Sequence, residues 1–460
     1  MDMRGKKVLV IGSGISGINA ASLLETAGAE VSLFDSNDRL LIDEIKRKFM
    51  EETRVAIYVG ELPEEVMSSV DTAVLSPGVP IDNPLVLDLK ERGVRISGEI
   101  ELAYEYGHGD VLAVTGTNGK TTTTTLVGEI CRNYKKTAGG ETFVVGNIGN
   151  PYTAVALETK DDSLVVAEIS SFQLETTDTF RPKVSAILNI TPDHLNRHYT
   201  MENYVKTKER IALRQTGDDV IVLNFDDPYT RDFGSRAGCR VIYFTRHSYK
   251  EARETGCDVL HMDGDMIMYN DIPVIDVNDM LLMGTHNYEN VMAAAGMTYA
   301  YGIPMETISG TIRTFRAVEH RIEYVRTVGG VDYYNDSKGT NPDAAIKGIK
   351  AMKKKTVLIG GGFDKKSTYD EWIDAFDGKV RYLVLLGQTA EKIAECAKKH
   401  GFNDIVMVSS MEEAVQKCSE LAQNGDAVLL SPACASWGMF TNYEERGRIF
   451  KELVNGLKEQ

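Results

Sequence analysis

The residues best suited to chemistry form a glycine and lysine loop. The run Thr115-Gly116-Thr117-Asn118-Gly119-Lys120-Thr121-Thr122 follows an apolar stretch and precedes a threonine-rich helical pattern. In a strand–loop–helix setting, such glycines free the backbone to wrap phosphate oxygens. Lys120 would supply charge to the outer phosphates, and Thr121 would reach a magnesium ion. The loop predicts an ATP site, with an ordinary strand-to-helix turn as the simpler alternative.

Two further strand ends offer metal ligands. Glu168 closes the apolar run SLVVAE, and His194 follows the run SAILNI. Ligands of open α/β sheets collect outside the carboxyl ends of the strands, which favours both residues. Magnesium prefers oxygen donors and retained waters. Without the phosphate loop, His194 would be interpreted as an ordinary satisfied histidine.

A second glycine turn lies near the start of the chain. Gly12, Gly14 and Gly17 form GxGxxG after a strand, and Asp35 ends the next strand. By itself this pattern is typical of NAD binding. Any nucleotide diphosphate could use the same backbone donors, so UDP fits equally well. A tight turn without a ligand is the third interpretation.

The elements that position these residues alternate strand and helix along the whole chain. The pattern predicts an α/β fold of three domains, each with a mainly parallel sheet and flanking helices. The N-terminal and C-terminal sheets are expected to be Rossmann-like, and the central one of the phosphate-loop type. Residues 236–282 predict a small antiparallel insertion in the central domain. The expected boundaries are 1–99, 100–317 and 318–460.

Composition limits the partners. A net charge of -16 disfavours nucleic acid, because binding to phosphate backbones rests largely on Lys and Arg. The six cysteines show no CxxC pair, which fits a reducing compartment, and no apolar run is long enough to span a membrane. The expectation is a cytoplasmic protein without membrane insertion.

Taken together, the motifs resemble the Mur ligase family over essentially the whole chain. Several motifs in one order are more specific than any single one. They are GTNGKTTT (116–123), GNIG (146–149), EISSFQLE (168–175), NITPDH (189–194), HNYEN (286–290), EHRIE (319–323), NDSKGTNPDA (335–344), GGFDK (361–365) and SPACASWGMF (431–440).

The resemblance, closest to the D-glutamate-adding branch, implies an ATP-dependent ligase of peptidoglycan precursor synthesis. It would join D-glutamate to UDP-N-acetylmuramoyl-L-alanine through an acyl phosphate, since a carboxylate is a poor electrophile for an amine. The first domain would bind UDP, the second ATP and Mg²⁺, and the third the amino acid while closing over the ATP. A monomer is expected.

The resemblance also implies site residues. Positions for the UDP substrate are Ile15, Ser16, Asp35, Ser36, Gly78, Asn147, Ser170, Gln173 and His194. Positions for ATP outside the loop are Asn287, Asn290, Arg321, Asp336 and Lys338. Positions for D-glutamate are Thr340, Lys365, Ser436, Trp437 and Tyr443, where Trp437 and Tyr443 depart from the family pattern of a smaller aliphatic residue and a Phe.

Lys208 is matched to a lysine that this family carbamylates with CO₂. It lies four residues after Tyr204, on the same helix face. A carbamate would turn this cation into a magnesium ligand beside Thr121, Glu168 and His194. Lys120, Glu168, His194 and Lys208 are therefore the expected catalytic residues.

Three rival functions remain open at this point. A nicotinamide oxidoreductase would use GxGxxG and Asp35 but leaves the Lys120 loop unexplained. A folylpolyglutamate synthetase-like ligase would share the ATP loop and the modified lysine, but the complete first domain favours a UDP substrate. A non-catalytic nucleotide-binding regulator would bind ATP without releasing phosphate.

Overall fold

The computed structural model describes residues 3–49, 52–148, 150–282, 284–316, 319–365 and 367–458. The chain packs as two compact units, one of residues 1–279 with 288–313 and one of residues 280–287 with 314–460. The expected boundary at Ala317 and the Gly149 of GNIG lie outside the described residues. The domain boundaries therefore stay a prediction.

The first unit begins with a parallel sheet of five strands. They are β1 (Lys7–Ile11), β2 (Glu30–Asp35), β3 (Ala56–Val59), β4 (Thr72–Leu75) and β5 (Arg95–Gly98), in the order β3-β2-β1-β4-β5. Its helices are α1 (Ile15–Thr26), α2 (Ile42–Lys46), α3 (Glu64–Met67), α4 (Pro84–Glu91) and α5 (Glu99–Tyr106). The order reverses at β1, so a ligand site is expected beside the carboxyl ends of β1 and β4.

A nine-stranded sheet forms the rest of this unit. Its strands are β6 (Asp110–Thr115), β7 (Thr142–Gly146), β8 (Leu164–Glu168), β9 (Val184–Ile187), β10 (Val220–Asn224), β11 (Arg240–Phe244), β12 (Asp258–Asp263), β13 (Met266–Tyr269) and β14 (Ile272–Asp276). The strand order is β14-β13-β12-β11-β10-β9-β6-β8-β7. Strands β8 and β9 are buried throughout, and β6 is buried after its first residue, as expected for a sheet covered on both faces.

Helices surround this sheet. They are α6 (Lys120–Ala138), α7 (Ser171–Leu174), α8 (Leu195–His198), α9 (Met201–Glu209), α10 (Pro228–Gly234), α11 (Tyr249–Glu254), α12 (Thr285–Ala300) and α13 (Met305–Thr314). Helix α6 follows β6 directly, so its N-terminus meets the carboxyl end of a central strand. That junction is the predicted phosphate loop.

The antiparallel part of this sheet is smaller than predicted. Strand β11 lies inside residues 236–282 but pairs in parallel with β10, and β12 pairs in parallel with β11. In the described part of this sheet, antiparallel pairing is found between β12 and β13 and between β13 and β14. Strand β14, which contains Pro273, lies at the edge of the sheet. Helix α11 links β11 to β12, and a helical crossover is what parallel strands require.

The second unit contains a six-stranded sheet. Its strands are β15 (Glu323–Val328), β16 (Val331–Asn335), β17 (Thr356–Gly360), β18 (Val380–Leu385), β19 (Ile405–Met407) and β20 (Ala427–Leu430), in the order β15-β16-β20-β17-β18-β19. Its helices are α14 (Pro342–Ala351), α15 (Asp370–Asp374), α16 (Ala390–Lys399), α17 (Met411–Leu421) and α18 (Tyr443–Gly456). Every strand pair is parallel except β15 with β16. The predicted three-domain α/β class is confirmed.

The glycines of the first turn have different physical roles. Gly12 has φ +102°, a conformation that favours glycine. A Cβ at Gly17 would lie 1.8 Å from the Gly12 carbonyl oxygen, whereas a Cβ at Gly14 would meet no atom within 4 Å. The absence of a side chain at Gly17 therefore allows helix α1 to pack against the Gly12 turn. A side chain at Gly14 would clash with no other atom.

We expect Gly17→Ala to destabilise the first sheet by about 3 kcal/mol, the upper range for overpacking, because backbone must move to relieve the clash. Gly14→Ala is the matched control and should leave the unfolding midpoint nearly unchanged. Thermal unfolding followed by circular dichroism measures both. Equal midpoints for the two variants would contradict the packing role of Gly17.

Candidate active site

The phosphate loop has the backbone that its glycines predict. Gly116 has φ +149° and Gly119 has φ +86°, and Gly119 precedes the first residue of α6. A Cβ at Gly119 would lie 2.2 Å from Oδ1 of Asn290, and the positive φ also favours glycine at this position. The loop thus presents backbone amides and a helix N-terminus, which suit a polyphosphate.

The segment after β9 holds this loop in place. The Asn118 amide donates to Oδ1 of Asn189 at 2.8 Å, and Nδ2 of Asn189 donates back to the Asn118 carbonyl at 3.1 Å. Oγ1 of Thr117 lies 3.1 Å from the Tyr204 hydroxyl and accepts from the Thr191 amide at 3.0 Å. Asn189 was not among the predicted site residues, although it opens the NITPDH motif.

Two lysines converge on one carbonyl of the loop. Nζ of Lys120 donates to the carbonyls of Gly116 and Thr117, both at 2.9 Å. Nζ of Lys208 donates to the same Gly116 carbonyl at 2.8 Å, and this side chain is 1% exposed. Burial, followed by the charge of Lys120, lowers the pKa of Lys208 well below its ordinary value. Lys208 therefore loses its proton more readily than an exposed lysine does.

Glu168 presents a buried carboxylate at the end of β8. The residue is 1% exposed, and its Oε1 accepts from Nδ2 of Asn147 at 2.8 Å. Its Oε2 is buried and has no hydrogen-bond partner among the described residues. A buried, unpartnered carboxylate oxygen is costly unless a cation compensates it. The unpartnered oxygen of Glu168 therefore fits a ligand of a divalent metal ion.

His194 lies in the left-handed conformation, with φ 53°, immediately before α8. Burial lowers its pKa, the charges of Lys120 and Lys208 lower it further, and Asp193 opposes them. Its ring lies 4.9 Å from the ring of Phe172. A neutral imidazole at this point can serve as a ligand near neutral pH.

His198 is a neighbour that sequence reasoning missed. It is buried, and its Nε2 lies 2.9 Å from Oγ of Ser171. Burial, with the charges of Lys208 and Arg197, lowers the pKa of His198 to about 4. Its ring lies 5.2 Å from the Tyr204 ring, so it packs behind the loop-binding residues. The four-residue spacing from His194 was the available signal.

A cavity of about 520 Å³ lies at the carboxyl ends of β1 and β4. Asp35, Ser36 and Gly78 line it, as predicted for the UDP substrate. Ile15 is 69% exposed and Ser16 partly exposed, both on the first turn of α1 and outside that lining. The structure thus groups three of the first-domain positions.

Asp35 is tied into the glycine turn. Its Oδ2 accepts from the amide and hydroxyl of Ser13 at 2.9 and 2.7 Å, and its Oδ1 accepts from the Asn37 amide at 3.0 Å. Burial raises the pKa of Asp35, but these hydrogen bonds and the charge of Lys48 outweigh it and leave the pKa lowered. The carboxylate therefore stabilises the turn that shapes the cavity.

Ser170 and Gln173 form a capping box at the start of α7. Oγ of Ser170 accepts from the Gln173 amide at 3.3 Å, and Oε1 of Gln173 accepts from the Ser170 amide at 2.9 Å. The pair therefore fixes the helix that follows Glu168. Their roles toward a sugar or peptide stay a prediction.

In helix α12, Asn287 and Asn290 are both buried. Oδ1 of Asn290 lies 3.4 Å from Oγ1 of Thr123, in the first turn of α6. Asn290 is thus placed beside the phosphate loop, together with the buried Thr121 and Thr122. Asn287 belongs to the second unit.

The second unit holds its own charged cluster. Oδ2 of the buried Asp336 accepts from Oγ of Ser431 at 2.7 Å. Burial raises the pKa of Asp336 to about 7, against the hydrogen bond from Ser431 and the charges of Arg321 and Arg446. Nε of Arg321 is buried and has no hydrogen-bond partner among the described residues.

The remaining predicted residues form two pairs in this unit. Nζ of Lys338 lies 5.4 Å from the Tyr443 ring, and the Thr340 amide donates to the Lys338 carbonyl. Nζ of Lys365 lies 4.8 Å from the ring of Trp437, which is 53% exposed. The neighbouring Ser436 is buried.

Asp336 should give the second unit a pH-dependent stability. Its folded pKa of about 7 lies above its ordinary 3.8, so the unfolded chain loses this proton first as pH rises. Stability should therefore fall between about pH 4 and about pH 7, by up to about 4 kcal/mol, and stay low above that range.

Asp336→Asn should remove this slope and raise the unfolding midpoint above pH 7, as measured by scanning calorimetry. Asp332→Asn is the control, because the contribution of Asp332 to stability should rise with pH, whereas that of Asp336 falls. Burial raises the pKa of Asp332, but hydrogen bonds from Lys354 and Thr327 outweigh it and leave the pKa lowered. If the stability of Asp336→Asn still fell by the same amount between about pH 4 and about pH 7, other titrating groups would be responsible for the pH dependence.

Three family descriptions match successive parts of the chain, and named relatives match its whole length. Residues 6–98 match the description "Mur ligase MurD-like, N-terminal domain", residues 114–298 "Mur ligase middle domain", and residues 320–434 "Mur ligase, glutamate ligase domain". The UDP-N-acetylmuramoylalanine--D-glutamate ligase of Lachnospira eligens is 54% identical, covering 99% of this chain and 100% of the relative. The protein of that name from Lachnoclostridium phytofermentans is 54% identical over the full length of both.

Solved structures agree on the fold. The UDP-N-acetylmuramate-alanine ligase of Thermotoga maritima has a TM-score of 0.62 at 19% identity, covering 98% of this chain and 100% of that one. A pseudomurein peptide ligase type C from Methanothermus fervidus has a TM-score of 0.55 at 17% identity, covering 99% and 100%. Among the residues that the structure describes, no helix combines the length and apolar character needed to cross a membrane.

Proposed function

This chain belongs to the Mur ligase family, and on that premise we propose that it joins D-glutamate to UDP-N-acetylmuramoyl-L-alanine at the cost of ATP. The observation that carries the proposal is the convergence of the Lys120 and Lys208 side chains on the Gly116 carbonyl of the phosphate loop. Relatives named for this reaction match the full chain at 54% identity.

Each region has a role in this proposal. Residues 1–99 bind the UDP group in the cavity lined by Asp35, Ser36 and Gly78. Residues 100–317 bind ATP, and residues 318–460 bind D-glutamate. The six free thiols suit a reducing compartment, and the reaction is assigned to the cytoplasm.

Phosphoryl transfer depends on positioning and charge stabilisation. Lys120 is released from the Gly116 and Thr117 carbonyls and turns to the outer phosphates, while the loop amides bind their oxygens. Thr121, Glu168 and His194 would hold magnesium, which supplies positive charge against the charge developing on the phosphates. Asn147 keeps the Glu168 carboxylate in a single orientation.

Lys208 is assigned as the residue modified by CO₂. An amine reacts with CO₂ only when it is unprotonated, and burial lowers the pKa of Lys208. The neutral amine nitrogen bonds to the carbon of CO₂ and releases one proton, so a neutral amine becomes an anionic carbamate. That anion would complete the oxygen donors around Glu168.

Amide formation follows from the activated carboxyl group. The γ-phosphoryl group of ATP passes to the carboxylate of the UDP substrate, forming an acyl phosphate and ADP. The amine of D-glutamate then attacks the acyl carbon, and phosphate leaves. Lys365, Ser436 and Thr340 are assigned to the D-glutamate carboxylates, with Trp437 and Tyr443 beside them.

The test is phosphate release from ATP in the presence of UDP-N-acetylmuramoyl-L-alanine. D-glutamate, L-glutamate, L-lysine and diaminopimelate are compared as the second substrate. We expect turnover with D-glutamate alone among the four, and formation of an amide product by mass spectrometry. Turnover with a different amino acid, or none with any, would overturn the assignment.

A further inference from the structure

Helix α8 connects the first sheet to the metal-binding end of the second. It begins directly after His194, whose carbonyl accepts from the amides of Arg197 and His198 at 2.9 and 3.1 Å. The helix is therefore anchored on His194 by its own backbone.

Arg197 is a partly buried residue of this helix. Its side chain is 11% exposed, and its Nη2 and Nε donate to Oε2 and Oε1 of Glu175 at 2.6 and 3.2 Å. Its guanidinium carbon lies 4.9 Å from the ring of Phe172, the same ring that contacts His194. This bidentate and stacked geometry is specific to arginine, since lysine is a point charge.

The same guanidinium reaches the first sheet. Nη2 of Arg197 donates to the carbonyl of Val79 at 2.9 Å. Val79 follows Gly78 in the turn after β4, and both line the cavity assigned to the UDP group. A second link lies two residues further along the chain, where the Tyr199 hydroxyl donates to the carboxylate of Asp82.

The space between these parts is closely packed. A cavity of only about 10 Å³ is lined by Val79, Phe172 and Glu175, among others, which is near the minimum volume for one water molecule. Packed groups of this kind transmit displacement, because little free volume absorbs it. The Val79 turn is thus linked to the Phe172–His194 pair through the guanidinium of Arg197.

We infer that Arg197 is a positioning residue that sets the distance between the UDP-binding turn and His194. This inference rests on the proposed function, because it assigns the purpose of that distance. A substrate held by its UDP group at the Gly78 turn must deliver its far carboxylate to the phosphate loop. Arg197 contacts both the turn that holds the UDP group and the Phe172 ring beside His194, and so fixes the distance between them.

Arg197→Lys is the variant to test, since it retains the charge but cannot pair bidentately with Glu175 while donating to Val79. Small misplacements of reacting groups cost up to about 100-fold in rate. We expect kcat to fall about 10- to 100-fold and KM for the UDP substrate to rise about 10-fold, while KM for ATP changes by less than about twofold. Tyr199→Phe should shift the same parameters in the same direction by a smaller factor.

Calorimetric titration separates positioning from simple loss of a binding site. UDP alone contacts the first domain only, so its affinity should be unchanged in Arg197→Lys, whereas UDP-N-acetylmuramoyl-L-alanine should bind about 10-fold more weakly. Equal weakening of both ligands would overturn the inference in favour of local damage to the cavity.

Arg214→Lys is the matched control. Arg214 also donates to a carboxylate and a backbone carbonyl, both of Asp178 at 2.6 Å, but at an exposed site that involves no residue of the first sheet. It should leave all constants unchanged. Wild-type protein without turnover would refute the proposed function, whereas active wild type with an unaltered Arg197→Lys variant would refute only the inference.

Discussion

A Lys120→Met enzyme is expected to lose about 100- to 1,000-fold in kcat, the range for removing one preorganised charge from a transition state. In the structure Lys120 satisfies the Gly116 and Thr117 carbonyls, so it is held within the loop and ready to exchange them for phosphate oxygens. Methionine keeps the length of the side chain without the charge. Substrate-dependent phosphate release measures the loss.

Lys135→Met provides the control for this result. Lys135 lies in the same helix, and its Nζ also donates to a backbone carbonyl, that of Asp162, at 2.6 Å. It is remote in sequence from the loop and should retain full turnover. An active Lys120→Met enzyme would show that the loop does not stabilise the transferred phosphoryl group.

The second large effect is expected at Lys208. Lys208→Met should lower kcat about 100-fold, because a buried anion beside the phosphate loop would be lost. Wild-type turnover should also fall when CO₂ and bicarbonate are removed from the buffer, and return when bicarbonate is restored. The variant should show no such dependence.

A direct measurement accompanies the kinetics. Protein equilibrated with ¹³C-bicarbonate should give a carbamate carbon signal in the wild type and lose it in Lys208→Met. Lys206→Met, in the same helix but paired with Glu202 at the surface, should keep both the signal and the activity. Full activity in Lys208→Met would remove Lys208 from the site.

Much of the fold follows from local patterns. Apolar runs that end at glycines or acidic residues became β1, β6 and β8, and the glycine–lysine loop lies between β6 and α6 as predicted. These features depend on a few neighbouring residues, so sequence spacing determines them. The direction of β11 was harder to predict, because a short apolar run between turns fits parallel and antiparallel pairing alike.

Side-chain partners at long range could not be predicted. Asp35 suggests a ribose ligand from its position, yet its Oδ2 accepts from the amide and hydroxyl of Ser13, on the neighbouring strand's turn. Asp336 acquires its raised pKa from burial near Ser431, which lies 95 residues away in the chain. Such contacts depend on strand order, and no local spacing specifies it.

The proline in the edge strand β14 of the nine-stranded sheet affects the tendency of the protein to aggregate at high concentration. Strand β14 pairs with β13 and is an edge strand of the sheet. The backbone groups on the outer side of an edge strand can pair with a strand of another molecule. Pro273 lacks an amide hydrogen, and the nearby carboxylates of Asp271 and Asp276 repel a similar neighbour. Fibril growth from this side is thereby discouraged, and a concentrated solution should remain dispersed.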